Sequence, residues 1–346
     1  KTICGGAVIM GRMMNRKTMF FAMLLAFCFV PAALAADGPF VIGYSEFNMG
    51  NSWRTQSVEE ARYAASQNGD VKELIVTQAE GDVSKQIADI EDLIARKVDA
   101  IILNAGSPKG LNPVIAKAVA AGIPVVDFDS VTESDRAYHL AIDQVEFGRI
   151  LGEWLVKVMG GKGNIVVFNG MKGTMVNAQR LEGGEKEFAK IPDIKVVQTV
   201  FADWDYAKAK RAMETLFAAN LKIDGIWSQG GAMSQAVVDA YTERGEEPPF
   251  ITGEDNNGFF KVWKRTADKY PKFDSIATTC PTWISAAAME LAIDILKGKP
   301  AERTTLLSIP VVTKENIDQY VKMDLPDSYW CNSKLPEDIV KKLFVR

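Results

Sequence analysis

The sequence predicts an α/β protein with two parallel-sheet domains, and three observations carry that prediction. Short apolar runs alternate with longer amphipathic ones over most of the chain. Runs such as Ala100-Ile101-Ile102-Leu103 are continuously apolar, as in strands covered on both faces. The alternation also restarts after a helix at 145–159, so one series of strand and helix is followed by a second.

In chain order, Phe40 to Tyr44 reads as a first strand and Trp53 to Ser66 as the helix after it, with Asn51 or Ser52 as N-cap. A strand over 71–77, a helix over 83–96, the 100–103 strand and a helix over 111–121 follow, the last closed by Gly122. The next strand starts at Ile123 and runs to Asp127. After the 145–159 helix, Gly160-Gly161-Lys162-Gly163 breaks the chain. The second series has strands at 164–168, 194–200, 225–227 and 250–252, with helices at 179–189, 207–219 and 233–244. Two prolines, Pro326 and Pro336, punctuate a tail that ends in a short helix over 337–344.

The N-terminal region has a different pattern. Asn15-Arg16-Lys17, an apolar stretch from Met19 to Val30 and Ala33-Leu34-Ala35 match the three parts of a secretory signal peptide. The apolar stretch is shorter than the roughly 20 residues a membrane span needs. The expectation is an upstream segment over 1–12, a signal peptide over 13–35, and a mature protein exported without membrane insertion. Four basic and no acidic residues leave with those 35, so the formal net charge moves from −4 to −8. An acidic chain does not offer the basic surface that nucleic acid demands. Cys280 and Cys331 are the cysteines that remain, either as a disulfide or as two separate thiols.

Ligands of open α/β sheets lie beyond the carboxyl ends of the strands. Those ends carry Ser45 to Arg54, Asp127 to Ser130, Asp143-Gln144, Asn177 to Arg180, Trp204, Gln229-Gly230-Gly231, Glu254 to Asn257 and Thr278-Thr279. Carboxylates, amides, arginines and tryptophans in this mixture suit a sugar: its hydroxyls need both acceptors and donors, and its C–H face packs on an indole. No GxxxxGK[ST], GxSxG, HExxH or zinc-spaced Cys/His pattern is present, and His139 is the sole histidine. Trp227, inside an apolar strand, reads as core, and Asp127 as a structural acid at a strand end.

The strings VIGYSEFNMGNSWR (41–54), KVDAIILNAG (97–106), AGIPVVDFDS (121–130), LAIDQVEFGR (140–149), GIWSQGGAMSQAVVDA (225–240) and FITGEDNNG (250–258) complete the picture. In this order and spacing the chain resembles class I periplasmic solute-binding proteins of the ribose- and galactofuranose-binding type, which serve ABC importers. The resemblance implies two Rossmann-like lobes joined by a three-segment hinge, with a monosaccharide or polyol between them. It puts one lobe at 36–142 plus about 280–305, and the other at 143–279 plus about 306–346.

By position it implies Ser45, Asn51, Trp53, Arg54, Asn104 and Asp129 as ligand residues of the first lobe. Asn177, Arg180, Trp204, Gln229, Asp255 and Thr279 are those of the second lobe and hinge. Ser130 and the pair Gly230-Gly231 depart from relatives, which carry an arginine and an Asn-Asp pair there. The resemblance implies no cofactor or metal, a monomer, and permease subunits as partners. Two other roles use the same residues: an exported sensor presenting sugar to a chemoreceptor or kinase, and a carbohydrate enzyme with Asp129 and Asp255 as paired carboxylates.

Overall fold

A computed structural model describes residues 37–344; the expected signal peptide and upstream segment lie outside the described residues. The first series comprises β1 (Phe40–Glu46), α1 (Ser52–Gln67), β2 (Val71–Gln78), α2 (Val83–Ala95), β3 (Ala100–Asn104), α3 (Asn112–Ala120), β4 (Val125–Phe128) and β5 (Tyr138–Ile142). The second comprises α4 (Gln144–Val158), β6 (Gly163–Asn169), α5 (Met175–Ala189), β7 (Ile194–Phe201), α6 (Tyr206–Ala218), β8 (Gly225–Ser228), α7 (Gly231–Glu243), β9 (Phe250–Glu254), α8 (Asn257–Lys269) and β10 (Ser275–Thr278). The chain ends with α9 (Ile284–Leu296), β11 (Thr304–Leu307), β12 (Val311–Val312), a short 3₁₀ turn (Ile317–Gln319) and α10 (Glu337–Phe344).

These elements build two α/β lobes. One sheet has the order β11-β5-β4-β3-β1-β2 and the other β12-β10-β9-β8-β6-β7. The strands pair in parallel except for β10 with β12. In each sheet the order reverses beside the first strand of its series, β1 or β6, and this switch point opens a crevice above the strand ends. The chain passes between the sheets after β5, after β10 and after β11. Strand β11 carries the first sheet to Leu307, slightly past the expected change of lobe. The tail after Leu325 does not stay on the second lobe, because Trp330 and Ser333 hydrogen-bond to α1.

Local chemistry fixes the ends of the helices that matter for the site. Asn51 caps α1, its Oδ1 accepting from the Arg54 amide at 3.0 Å. Helix α5 begins at Met175, four residues before the sequence pattern indicated, because the Thr174 hydroxyl accepts from the Asn177 amide. Asn177 and Arg180 therefore sit in the opening turns of a helix. Gly160, Gly161 and Gly163 all have positive φ, which makes the cluster a turn as expected.

Helices α4 and α5 pack closely through glycines. A Cβ on Gly148 would lie 1.8 Å from the Arg180 carbonyl oxygen, and one on Gly183 would lie 2.0 Å from the Val145 carbonyl oxygen. This contact fixes the height of α5, and with it Arg180, against the second sheet.

Trp227 is core, fully buried and edge-on to Phe188. Asp127 holds Thr132 and His139 in the first lobe, with its Oδ1 2.6 Å from His139 Nδ1. That hydrogen bond raises the His139 pKa against the opposing effect of burial. Both cysteines are free: Cys280 is buried and Cys331 half-buried, so the two-thiol alternative is the one the structure has. Among the described residues no helix is long and apolar enough to cross a membrane.

Candidate functional site

A small cavity of about 30 Å³ lies at the carboxyl ends of the strands, between the sheets. Its wall consists of Asn51, Trp53, Arg54 and Asp129 from the first lobe, Val176, Arg180, Trp204 and Glu254 from the second, and Trp330 from the tail. The wall side chains close most of the space between the lobes, so a ligand of sugar size enters only as the lobes part.

The first-lobe wall begins with α1. Trp53 Nε1 donates to the Cys280 carbonyl at 2.9 Å, which ties the indole to the second crossing between lobes. Arg54 pairs with Glu46 at the end of β1. Glu46 is buried, and desolvation raises its pKa while Arg54 opposes the shift. This pair answers why an arginine stands at a helix start, where the dipole disfavours it.

Asp129 follows β4 with φ of 56°, a left-handed conformation that aspartate tolerates better than most residues. Its Oδ1 accepts from Gln144 Nε2 and Cys280 Sγ. Burial raises its pKa, and Arg180 and then Arg54 pull it down.

The second-lobe wall is centred on Arg180. Its Nε donates to Gln144 Oε1 at 2.8 Å, Nη1 to the Gln229 carbonyl at 2.9 Å, and Nη2 lies 3.0 Å from Glu254 Oε1. The guanidinium stacks 3.7 Å from the Phe147 ring centroid. Burial raises the Glu254 pKa to about 7; Arg180 limits the rise, and Asp129 across the cavity adds to it.

Trp204 also has positive φ, at 56°, which is a genuine outlier for so bulky a residue. The reason lies in its slot. A Cβ on Gly170 would sit 2.0 Å from the indole and one on Gly230 2.5 Å. Gly230, a departure from the family pattern, thus makes room for Trp204 against the cavity.

Of the twelve expected ligand residues, Asn51, Trp53, Arg54, Asp129, Arg180 and Trp204 are brought to one cavity. The other six do not line it. Ser45 is buried in β1 with its Oγ 3.3 Å from Gln86 Nε2, beneath the strand end rather than at it. Asn104 lies near Asp129 and lowers its pKa, but both its amide atoms lack a hydrogen-bond partner of good geometry. Gln229 donates to Asn169 and Asn177, which leaves its own Oε1 without a partner, and so stands behind Arg180.

Asp255 turns away from the cavity, accepting from the Asn332 amide at 2.7 Å, and burial raises its pKa well above the ordinary value. Nor does it cap α8, whose cap is Asn256. Thr279 accepts from Asn332 Nδ2. Sequence reasoning missed Glu254, Val176 and Trp330. For Glu254 a signal existed, since neighbours at a strand end point to opposite sides and only one of Glu254 and Asp255 can face the cleft.

With this geometry in place, comparison with known proteins defines the class. Residues 42–300 match the model of the periplasmic binding protein domain, and the chain belongs to that family. Trp330 lies beyond the matched segment. The chain is 29% identical over 281 residues to a xylitol-binding protein of Mycolicibacterium smegmatis, covering 80% of this chain and 78% of that one. It is 26% identical over 306 residues to a galactofuranose-binding protein of Escherichia coli, covering 84% and 95%. Among solved structures, it is similar to an ABC transporter solute-binding protein of Thermobispora bispora (TM-score 0.78, 27% identity, 88% and 94% covered).

Proposed function

We propose that this protein is exported to the periplasm, captures a neutral monosaccharide or polyol between its lobes as a monomer, and delivers it to an ABC-type importer. The observation that carries the reading is the composition of the cavity wall. Two arginines and two carboxylates offer donors and acceptors together, and three indoles supply flat apolar surface. A polyhydroxylated neutral ligand uses all three kinds of surface at once, whereas a sugar acid would leave the carboxylates opposed. The names and family of its relatives support the same class.

In this reading the ligand contacts both lobes and favours their approach by its differential affinity for the closed form, with the three crossings as hinge. Asn104, Gln229, Asp255 and Thr279 then act as the layer that orients the wall. The six wall residues expected from the sequence, together with Glu254 and Trp330, touch the ligand.

A thermal-shift screen of protein refolded free of carried-over ligand tests this against pentoses, hexoses, polyols and sugar acids. Stabilisation of about 4 kcal/mol at a thousandfold excess over Kd is expected for one narrow group of neutral compounds. Folded protein that responds to no carbohydrate, or only to sugar acids, overturns the ligand class. Stimulation of a reconstituted cognate permease by the loaded protein tests delivery.

A further inference from the structure

We infer that residues 327–334 form a strap that ties the two lobes together and carries one wall of the ligand cavity, so that opening the cleft requires the strap to release the first lobe. After β12 the chain is on the second sheet, and the start of the strap is anchored there. The Asn257 amide donates to the Tyr329 carbonyl at 2.8 Å and the Gly258 amide to the Asp327 carbonyl at 3.0 Å. The Cys331 amide donates to the Asp255 carbonyl at 3.0 Å.

The same few residues are held equally by the first lobe. Gln56 of α1 reads the backbone of Trp330 at both ends, accepting from its amide and donating to its carbonyl, each at 2.9 Å. Trp330 Nε1 donates to Ser52 Oγ at 2.9 Å, which turns the indole onto the cavity beside α1. Glu60, one turn further along α1, accepts from the Ser333 hydroxyl and the Lys334 amide as well as from Thr282. A carboxylate buried to this degree is costly without such partners, so α1 is built to be covered by the strap. Lys334 lies 3.7 Å over the Trp283 ring, and α10 beyond it joins Tyr63 of α1 in a small apolar cluster.

Two lobes bonded to one short segment cannot separate without breaking one set of bonds. The first-lobe set is the one that must yield, since the second lobe continues covalently into the strap through β12. The role of Trp330 toward ligand rests on the proposed function; the tie between lobes does not.

The test uses the full chain, stripped of ligand. Gln56→Ala removes the double contact without touching the cavity wall, Trp330→Ala removes the wall and the indole's bond to Ser52, and Ser52→Ala is the mild variant should the others not fold. Small-angle scattering is expected to show a larger radius of gyration for Gln56→Ala and Trp330→Ala than for the parent protein. Hydrogen exchange is expected to lose protection at the Trp330 amide while keeping it at the Cys331 amide. Sugar affinity of Trp330→Ala should fall about tenfold or more, or 1.4 kcal/mol. Unchanged scattering and unchanged Trp330 protection in folded variants would overturn the strap. If the parent protein binds no carbohydrate, the ligand reading fails by itself and the scattering comparison still decides the tie.

Discussion

Arg54 meets Glu46 at the end of β1 in the first lobe, and Arg180 meets Glu254 at the end of β9 in the second. Each arginine stands on the helix after the first strand of its series, but Glu46 ends that strand while Glu254 ends a strand two places away; both pairs are buried, and they are wired differently. Arg180 gives all three of its nitrogens to protein acceptors and lies on an aromatic ring. Arg54 gives one nitrogen to Glu46, and among the described residues its guanidinium makes no further hydrogen bond. Their carboxylates differ in the opposite sense. Glu46 also accepts from the Tyr44 hydroxyl and the Asn48 amide, whereas the Glu254 carboxylate has Arg180 as its partner. The second-lobe pair is therefore a built frame, and the first-lobe arginine has donors to offer a ligand.

The largest expected effect follows from that dependence. Above about pH 7, where Glu254 is ionised, Arg180→Met leaves it buried without a counter-charge, and breaking such a pair costs about 3–5 kcal/mol. A thermal melt should show Arg180→Met falling well below Arg54→Met. Equal losses would erase the distinction between the two pairs.

The pH dependence is next. The folded-state pKa of Glu254, about 7, lies above its ordinary 4.5, so the native protein keeps a proton that the unfolded chain has lost between those values. Its contribution is fully present below about pH 4.5 and is lost as pH rises through about 7, up to about 3 kcal/mol. Asp129, Asp255 and Glu46, also raised, act in the same direction. Melting followed from pH 5 to 7.5 should show stability declining, with a shallower slope in Glu254→Gln. A flat profile would mean that Glu254 is ionised throughout, as in an ordinary salt bridge.

Gly148→Ala perturbs only the second-lobe frame, by pushing a methyl group into the Arg180 carbonyl. Overpacking of this kind costs about 2–3 kcal/mol. It should lower ligand affinity as well as stability, because α5 carries Arg180. Affinity preserved alongside lost stability would show that the position of α5 does not set the site.

The smallest effect separates the two arginines most sharply. Arg54→Lys keeps the charge against Glu46 but not the planar fork, so melting should change little while Kd rises about tenfold. Titration calorimetry beside a melt reads both; an unchanged Kd would remove Arg54 from the ligand contacts.

The alternation of strands and helices was legible because parallel strands buried on both faces write themselves as apolar runs. Even the last helix, α10, falls where Glu337 to Phe344 were expected. Half of the expected site residues reached the cavity because the rule about strand ends acts locally: Asp129 follows β4 directly, and Trp53 and Arg54 open the helix after β1. Asp255 was chosen over Glu254 because identity was read without the parity of the strand. Trp330 was invisible for a different reason. It reaches the cavity through its backbone bonds to Gln56, its indole bond to Ser52 and the Cys331 amide's bond to Asp255, residues far away in the chain that no local pattern connects to it.

Three of the seven tryptophans stand in the cavity wall, drawn from both lobes and the tail. The indole of Trp204 has an N–H without a hydrogen-bond partner, those of Trp53 and Trp330 donate to groups at the crossings and on α1, and each has charged side chains nearby. Emission from an indole responds to such surroundings, so the molecule carries its own optical reporter. Occupancy can be followed in unlabelled protein, and single Trp→Phe replacements would say which lobe senses the ligand first.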